Sequence, residues 1–419
     1  MKKDYLKSVI VLTCICLVVA ILLSGVNAVT APLIEKQASA AADAAYLEVL
    51  PGATSFEDVT GEFPETVLEM KKDVGGSGFA FKLQASSSYS QSPMSIILGI
   101  DNQGKITKMK IVNYAETKGA ASDFEPLFEG KDATMTDVVA GVTYTTNAIK
   151  AAVTDAYDVF YQYADIEKSD EQKLQELFST IMPDGADKTG AVVLTALELV
   201  GVPESITGVY APATKIGYVI TGKVGETSVA MGVNAYGKVY AIYDLDGNDL
   251  SGDSACDAVK ADAESVLPSI CNEDHDSIAQ KMVEKGVISS KGQAQKVDFG
   301  AVSNRVVAVY KVSGGYAYVA RAEGYGGVLE VCYVINQNGD IVKYATLEQH
   351  EEAELEYMNS AFGTIIDYPE YADKIVGKTT ASITENDVLI AGSTFTSNAT
   401  KACFKSIMDA HNIINGGAK

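Results

Sequence analysis

Residues 140–153 read AGVTYTTNAIKAAV, and residues 391–404 read AGSTFTSNATKACF. A phrase of this length written twice constrains the fold more than any compositional figure. The chain must hold at least two copies of one supersecondary unit, each closing on the same junction. The residues upstream agree. The first copy is preceded by GFAFKLQ (78–84) and MSIILGIDNQGKITKMKIVNYAET (94–117), the last by GGYAYVARAEGYGGVLEVCYVINQNGDIVKYATLEQHEE (314–352). Between them lies GYVITGKVGETSVAMGVNAYGKVYAIYDLDG (217–247). Each run opens on Gly followed by an aromatic residue, alternates like a half-buried strand, and turns at Asp101-Asn102-Gln103-Gly104, Asn234-Ala235-Tyr236-Gly237 or Asn336-Gln337-Asn338-Gly339. A glycine closing such a turn supplies positive φ between two β-rich segments. The middle run is never followed by the phrase and reads as a degenerate unit.

Helical periodicity surrounds these strands. It is expected over residues 32–50, Asp170–Met182, Asp276–Lys285, Lys150–Tyr163 and Ala402–Ile414. Ile149, Val153, Tyr157 and Phe160 share one face of the segment after the first phrase. The fold class is α+β: antiparallel β-sheets flanked by helices, behind an N-terminal transmembrane helix. The expected domains are 1–31 (cytoplasmic N-terminus and transmembrane helix), 32–166, a middle degenerate repeat over 167–271, and 272–419.

Ser8 to Thr30 carry no charge and are long enough to span a bilayer. Lys2, Lys3 and Lys7 precede the span, so the N-terminus is expected in the cytoplasm and the bulk of the chain outside. A cleaved signal peptide ending near Val26-Asn27-Ala28 is the alternative. The chain has 55 Asp and Glu against 33 Lys and Arg, a formal charge of -22, which excludes nucleic acid as a partner. With 3 His and no CxxC spacing, a zinc site has no ligand set. Cys256, Cys271, Cys332 and Cys403 read as buried thiols, with a Cys256–Cys271 bridge conceivable. The acidic run from Glu351 to Glu356 reads as a solvated face, and Asp244–Asp249 as a turn lacking the downstream Glu of a calcium loop.

The phrase itself sits between an extended run and a helix. Thr145, Thr146 or Asn147 would cap that helix, and Gly141 would let the backbone turn tightly or approach a ligand. A phosphate beside Thr143 would meet a helix N-terminus, whose free N–H groups and dipole favour an anion. An ordinary strand-turn-helix junction is the other reading of the same residues.

The phrase resembles the flavinylation motif of FMN-binding domains, Asp-x-x-(Ser/Thr)-Gly-Ala-Thr, found in the G subunit of the Rnf electron-transport complex and the C subunit of the sodium-translocating NADH:quinone reductase. Asp137, Gly141 and Thr143 match it, while Ala140 and Val142 depart from it. The order GFAF, LGIDNQGKI, Ala115-Glu116-Thr117-Lys118-Gly119 is similar too, with Lys118 where the family has Pro. The likeness covers residues 1–165. In the last copy Gly392 and Thr394 match, whereas Asp387 lies one residue too far upstream, Val388 takes its place, and Gln349–Ala353 lacks the Thr and Gly of the Glu-Thr segment. The resemblance implies FMN held through a phosphoester on Thr143, installed by an ApbE-type flavin transferase that recognises Asp137 and Gly141. It implies that Glu116 and Thr117 line the flavin pocket, and that Thr394 is a second candidate acceptor. The implied role is an electron-transfer subunit beside other membrane subunits of a Rnf-type complex, rather than a self-contained enzyme. A stand-alone extracytoplasmic flavinylated carrier and a non-redox scaffold with degenerate repeats are the alternatives.

Overall fold

The computed structural model describes residues 44–87, 90, 92–116, 119–134, 143–164, 166–187, 190, 192–350, 366–367, 369–390 and 393–415, with the backbone alone at Thr143 and Ser269. They form two compact units, Met1–Lys168 and Ser169–Lys419. The Ser8–Thr30 span lies outside the described residues, among which no helix is long and apolar enough to cross a membrane.

In the first unit, α1 (44–49) is followed by a 5-stranded antiparallel sheet in the order β1 (Phe56–Val59), β2 (Val67–Asp73), β3 (Gly78–Ala85), β4 (Met94–Asp101), β5 (Ile106–Asn113). Then come α2 (Ala121–Phe128) and α3 (Thr143–Tyr163). Ile149, Val153, Tyr157 and Phe160 of α3 are buried against Phe79, Phe81, Leu98 and Ile100, the inward residues of β3 and β4. Their spacing is that of one helix face, so the core follows from the alternation of the strands meeting the stripe of the helix. The opposite sheet face carries α1, whose Tyr46 and Val49 pack on Ala80 and Ile97. This approach depends on Gly99: a Cβ there would lie 2.2 Å from the Val49 carbonyl oxygen.

The second unit begins with α4 (Asp170–Ile181). A second 5-stranded sheet follows: β6 (Thr195–Ala196), β7 (Ile206–Ala211), β8 (Gly217–Val224), β9 (Thr227–Asn234), β10 (Val239–Asp244). Next are α5 (Asp257–Val266) and α6 (Pro268–Glu284). The third sheet, also 5-stranded, is β11 (Gln295–Lys296), β12 (Val306–Val312), β13 (Gly315–Glu323), β14 (Val328–Ile335), β15 (Ile341–Glu348), and α7 (Pro369–Asp373) and α8 (Thr394–Ile414) close the chain. Helix α5 covers one face of the second sheet through Val259 and Ala263, and α8 covers one face of the third through Cys403, Phe404 and Ile407. The remaining faces share a core in which Val219 and Ala230 meet Val307, Val319 and Cys332, together with Phe178 of α4 and Ile278 and Met282 of α6. Residue 272, set as a domain boundary from sequence, lies within α6.

All three sheets are meanders built to one plan. The first residue of each turn, Asp101, Asn234 or Asn336, uses its side-chain oxygen to accept two backbone N–H groups: from Gln103 and Lys105 at 2.8 and 2.9 Å, from Tyr236 and Lys238 at 3.0 Å each, and from Asn338 and Asp340 at 2.9 Å each. The closing glycines Gly104, Gly237 and Gly339 have φ of 75°, 74° and 83°, the left-handed conformation that the sequence called for. A register shift recurs at the same place in each sheet: Val67/Glu69, Ile206/Gly208 and Val306/Ala308.

Two expectations change. The helix after each phrase begins earlier than predicted, at Thr143 and at Thr394, and each runs for 21 residues. Helix α6 also starts earlier, at Pro268, whose fixed φ and missing N–H suit a first turn. Cys256, Cys271, Cys332 and Cys403 are free and buried. Asp244 forms a turn, accepting N–H groups from Asp246 and Asn248 at 3.0 and 2.8 Å.

Candidate functional site

Because α3 is already helical at Thr143, Thr145, Thr146 and Asn147 lie inside its first turns and do not cap it. Thr145 instead turns its hydroxyl to the segment after β5, donating to Glu116 Oε2 at 3.2 Å. Two more hydroxyls converge on this carboxylate from the β3–β4 connection, residues 86–93. Ser87 Oγ donates to Oε2 at 2.8 Å, and Ser90 Oγ donates to Oε1. Glu116 thereby ties three chain segments together at the N-terminal end of α3: the end of β5, the β3–β4 connection and the phrase.

An aromatic wall stands beside this cluster. The rings of Tyr114 and Phe124 stack with centroids 5.7 Å apart and planes 29° from parallel. Gly119, with φ of 83°, lets the backbone pass close to them, since a Cβ there would lie 2.8 Å from the Tyr114 hydroxyl and 3.4 Å from the Phe124 ring. Burial, then the negative charges of Glu116 and Asp123, push the Tyr114 phenol above its ordinary range, so it remains a neutral donor at physiological pH. Thr117, Asp137, Gly141 and the Thr143 side chain lie outside the described residues, so of the expected set only Glu116 and the backbone start of α3 are seen together.

The last copy keeps the helix and changes its neighbours. Thr394 opens α8 and is exposed, while Gly392 lies outside the described residues. Ser393 Oγ donates to Thr396 Oγ1 at 2.7 Å, and the Ser397 hydroxyl both accepts from Ile390 N and donates to Ile390 O at 2.9 Å. Asp387 is held elsewhere. It accepts the Thr384 N–H at 2.8 Å, closing a cap on the short 3-10 turn Glu385–Val388, and pairs with Lys378. The Lys378 ammonium, then the Thr384 N–H, hold its carboxyl below the usual range.

At the sheet end where the first unit has Glu116 and its hydroxyls, the third sheet has ions. Arg321 makes two parallel bonds to Asp274 at 2.8 Å each and pairs with Glu330, which is fully buried. Lys281 bridges Glu330, at 3.2 Å, to Glu348, and His350 reaches Glu348 at 2.9 Å. Glu330 has both Arg321 and Lys281 against it, which is what keeps a charge this far from water tolerable. The β13–β14 connection is also shorter, residues 324–327. Among the described residues no group of three or more His, Cys, Asp and Glu is placed to hold a metal ion.

Sequence reasoning missed Ser87 and Ser90, because the run ASSSYSQSP reads as a polar linker. It missed the Arg321–Glu330 pair as well, although a charge in the middle of YVARAE and of VLEVCY was a readable signal, since an ion inside a buried strand needs a partner.

A search of curated proteins finds no match to the chain. One family model does match: the FMN-binding domain aligns with residues 90–158, from Ser90 in the β3–β4 connection through β4, β5 and α2 to Asp158 on α3. That stretch contains Ser90, Glu116, the aromatic pair and the start of α3, and it is similar to an FMN-binding domain.

Proposed function

We propose that this chain is a membrane-anchored flavoprotein electron carrier, similar to the G subunit of a Rnf complex, with FMN bound covalently to Thr143. The observation that carries the reading is the overlap of the FMN-binding domain match with the Glu116 cluster and the opening residue of α3. The residues present fit the group. Three hydroxyls and a carboxylate offer partners to a polyhydroxyl chain and to ring N–H donors, while half-buried Tyr114, backed by the fully buried Phe124, offers a flat aromatic face. An ester on the Thr143 hydroxyl would carry its phosphate at the N-terminus of α3, where the helix dipole favours negative charge.

When bound, FMN supplies one- and two-electron redox chemistry, and the polypeptide supplies binding, orientation and environment. Glu116 holds the β3–β4 connection and the Thr145 turn in place around the acceptor. Covalent attachment suits an acidic chain with few cations to grip a phosphate, and it suits a carrier facing the outside, where a loosely bound flavin would be lost. In this reading Ser8–Thr30 anchors the chain with its N-terminus in the cytoplasm. An ApbE-type transferase recognises Asp137 and Gly141, and neighbouring membrane subunits exchange electrons with the flavin. Thr394 is a second acceptor in the same scheme, with a different set of neighbours.

The test is covalent flavin. The full chain is co-expressed with a flavin transferase, denatured, and read by in-gel fluorescence and peptide mass. Fluorescence on the wild type that disappears in Thr143→Val is the expected result, and a residual signal that disappears only with Thr394→Val as well would reveal two flavins. A wild type without covalent flavin, beside a control substrate labelled by the same enzyme, would sink the carrier reading and leave a scaffold.

A further inference from the structure

The turn joining the second and third strands of each sheet differs in length, and the third sheet leaves a groove there. In the first sheet the turn is residues 74–77. It is folded down by Asp73, which accepts the Ser77 N–H at 2.8 Å, and by Asn102, whose side chain donates to the Gly76 carbonyl. In the second sheet the turn is residues 212–216, and Thr214 and Ile216 are buried beneath it. In the third sheet only residues 313–314 join β12 to β13. Val312 stands where Asp73 stands, and Tyr316 where Phe79 stands, as the pairings Lys72–Phe79 and Lys311–Tyr316 show. Beside the shortened turn lies a groove of about 490 Å³ lined by Lys311, Val312, Tyr316, Asn336, Gln337 and Asn338, with Gly314 and Gly315 of the turn along it. That volume falls within the size range of small-ligand sites.

The chemistry of the lining selects a ligand class. It offers one half-buried phenol ring, two exposed side-chain amides at Gln337 and Asn338, one ammonium, and no carboxylate. Asn336 adds only rigidity, since its amide is engaged by Asp340 Oδ2 at 2.9 Å and by the turn. A single cation on a chain of charge -22 does not draw a polyanion. An apolar ligand would leave the amides without partners. A sugar chain satisfies both demands, because its C–H face lies on an aromatic ring while its hydroxyls pair with amides.

We infer that this groove is a binding site for a neutral glycan, with Tyr316 as the platform and Gln337 and Asn338 as its hydrogen-bonding partners. The site lies on the third sheet, outside residues 90–158 that match the FMN-binding domain, and does not depend on flavin.

The test is calorimetric titration of the full chain in detergent with a tetramer of N-acetylglucosamine and, separately, of glucose. Saturable binding to at least one is expected, weakened about tenfold in Tyr316→Ala and also weakened in Asn338→Ala. Replacing residues 313–314 with the longer 74–77 segment should fill the groove and abolish binding. Tyr316 is half-buried against the core of the third sheet, so matching circular dichroism is required to establish that each variant folds. The inference is overturned if neither glycan binds, if binding is indifferent to Tyr316→Ala, or if the groove instead takes a short neutral peptide in a Tyr316-dependent way.

Discussion

Asp73 is 1% exposed and has no cation beside it among its described contacts, yet its carboxylate is ionised. Burial pushes its carboxyl up. Backbone N–H groups of Ser77, Thr54 and Gly75 together outweigh burial and hold it well below the usual carboxylate range. The geometry supports this: Oδ1 accepts from Thr54 N at 2.9 Å and Oδ2 from Ser77 N at 2.8 Å. Asp73→Ala would leave those donors facing a void. Each unsatisfied donor costs about 1–3 kcal/mol, so the first unit should lose about 3–5 kcal/mol. For a unit of this size that is a fall in Tm of roughly 10 °C. The pH dependence has a definite sign. A carboxyl depressed in the folded state adds stability that is fully present above its unfolded value near 3.9 and is lost as pH falls toward the folded value. The gap between wild type and Asp73→Asn should therefore be constant from neutral pH to about pH 5 and shrink below about pH 4. Urea denaturation at several pH values measures the gap, and hydrogen exchange of residues 54–56 and 75–77 localises it. An Asp73→Asn chain as stable as wild type at neutral pH, or a gap that does not shrink in acid, would refute the reasoning.

Thr145→Val removes one of three hydroxyls from Glu116 and should cost about 1 kcal/mol in thermal unfolding; flavin content per chain should fall in the same variant, and unchanged flavin loading would separate the cluster from the cofactor. Arg321→Met leaves Glu330 buried beside Lys281 alone and should destabilise by about 3–5 kcal/mol, whereas Arg321→Met with Glu330→Leu should recover most of that loss, as a double-mutant cycle in urea would show. His275 is pushed down to about 4 by burial, with Lys296 adding to the effect. The unfolded chain binds that proton first, so stability should decline as pH falls from about 6.5 toward 4; His275→Phe should flatten that part of the profile, and an unaltered acid limb would count against it.

The sheets were legible because two periodicities agree in them. Strand alternation at GFAFKLQ and GYAYVARAE meets a glycine-closed turn, and the turn residues Asp101, Asn234 and Asn336 act through their own side chains, so no distant contact is needed to predict them. The helix faces were legible for the same reason: Ile149, Val153, Tyr157 and Phe160 are local spacing. What was not legible depends on partners far along the chain. The start of α3 was misplaced because Thr145, Thr146 and Asn147 suit caps on propensity, while burial of Thr145 and Thr146 decides otherwise. Glu116 was singled out by resemblance, but its tie to Ser87 and Ser90 spans the whole β4–β5 hairpin, and no spacing in the sequence announces it. Asp387 looked like a displaced motif acid, and its role as a cap paired with Lys378 emerges only in three dimensions.

The shared core of the second unit has a consequence for what the middle sheet does. The middle sheet is not followed by the phrase, yet its Val219 and Ala230 form the wall against which Val307, Val319 and Cys332 are buried. Deleting the middle sheet would expose the back of the third sheet to water. The inner face of the middle sheet therefore serves as scaffold for its neighbour: a charge placed at Val219 or Ala230 would loosen the packing of both sheets together.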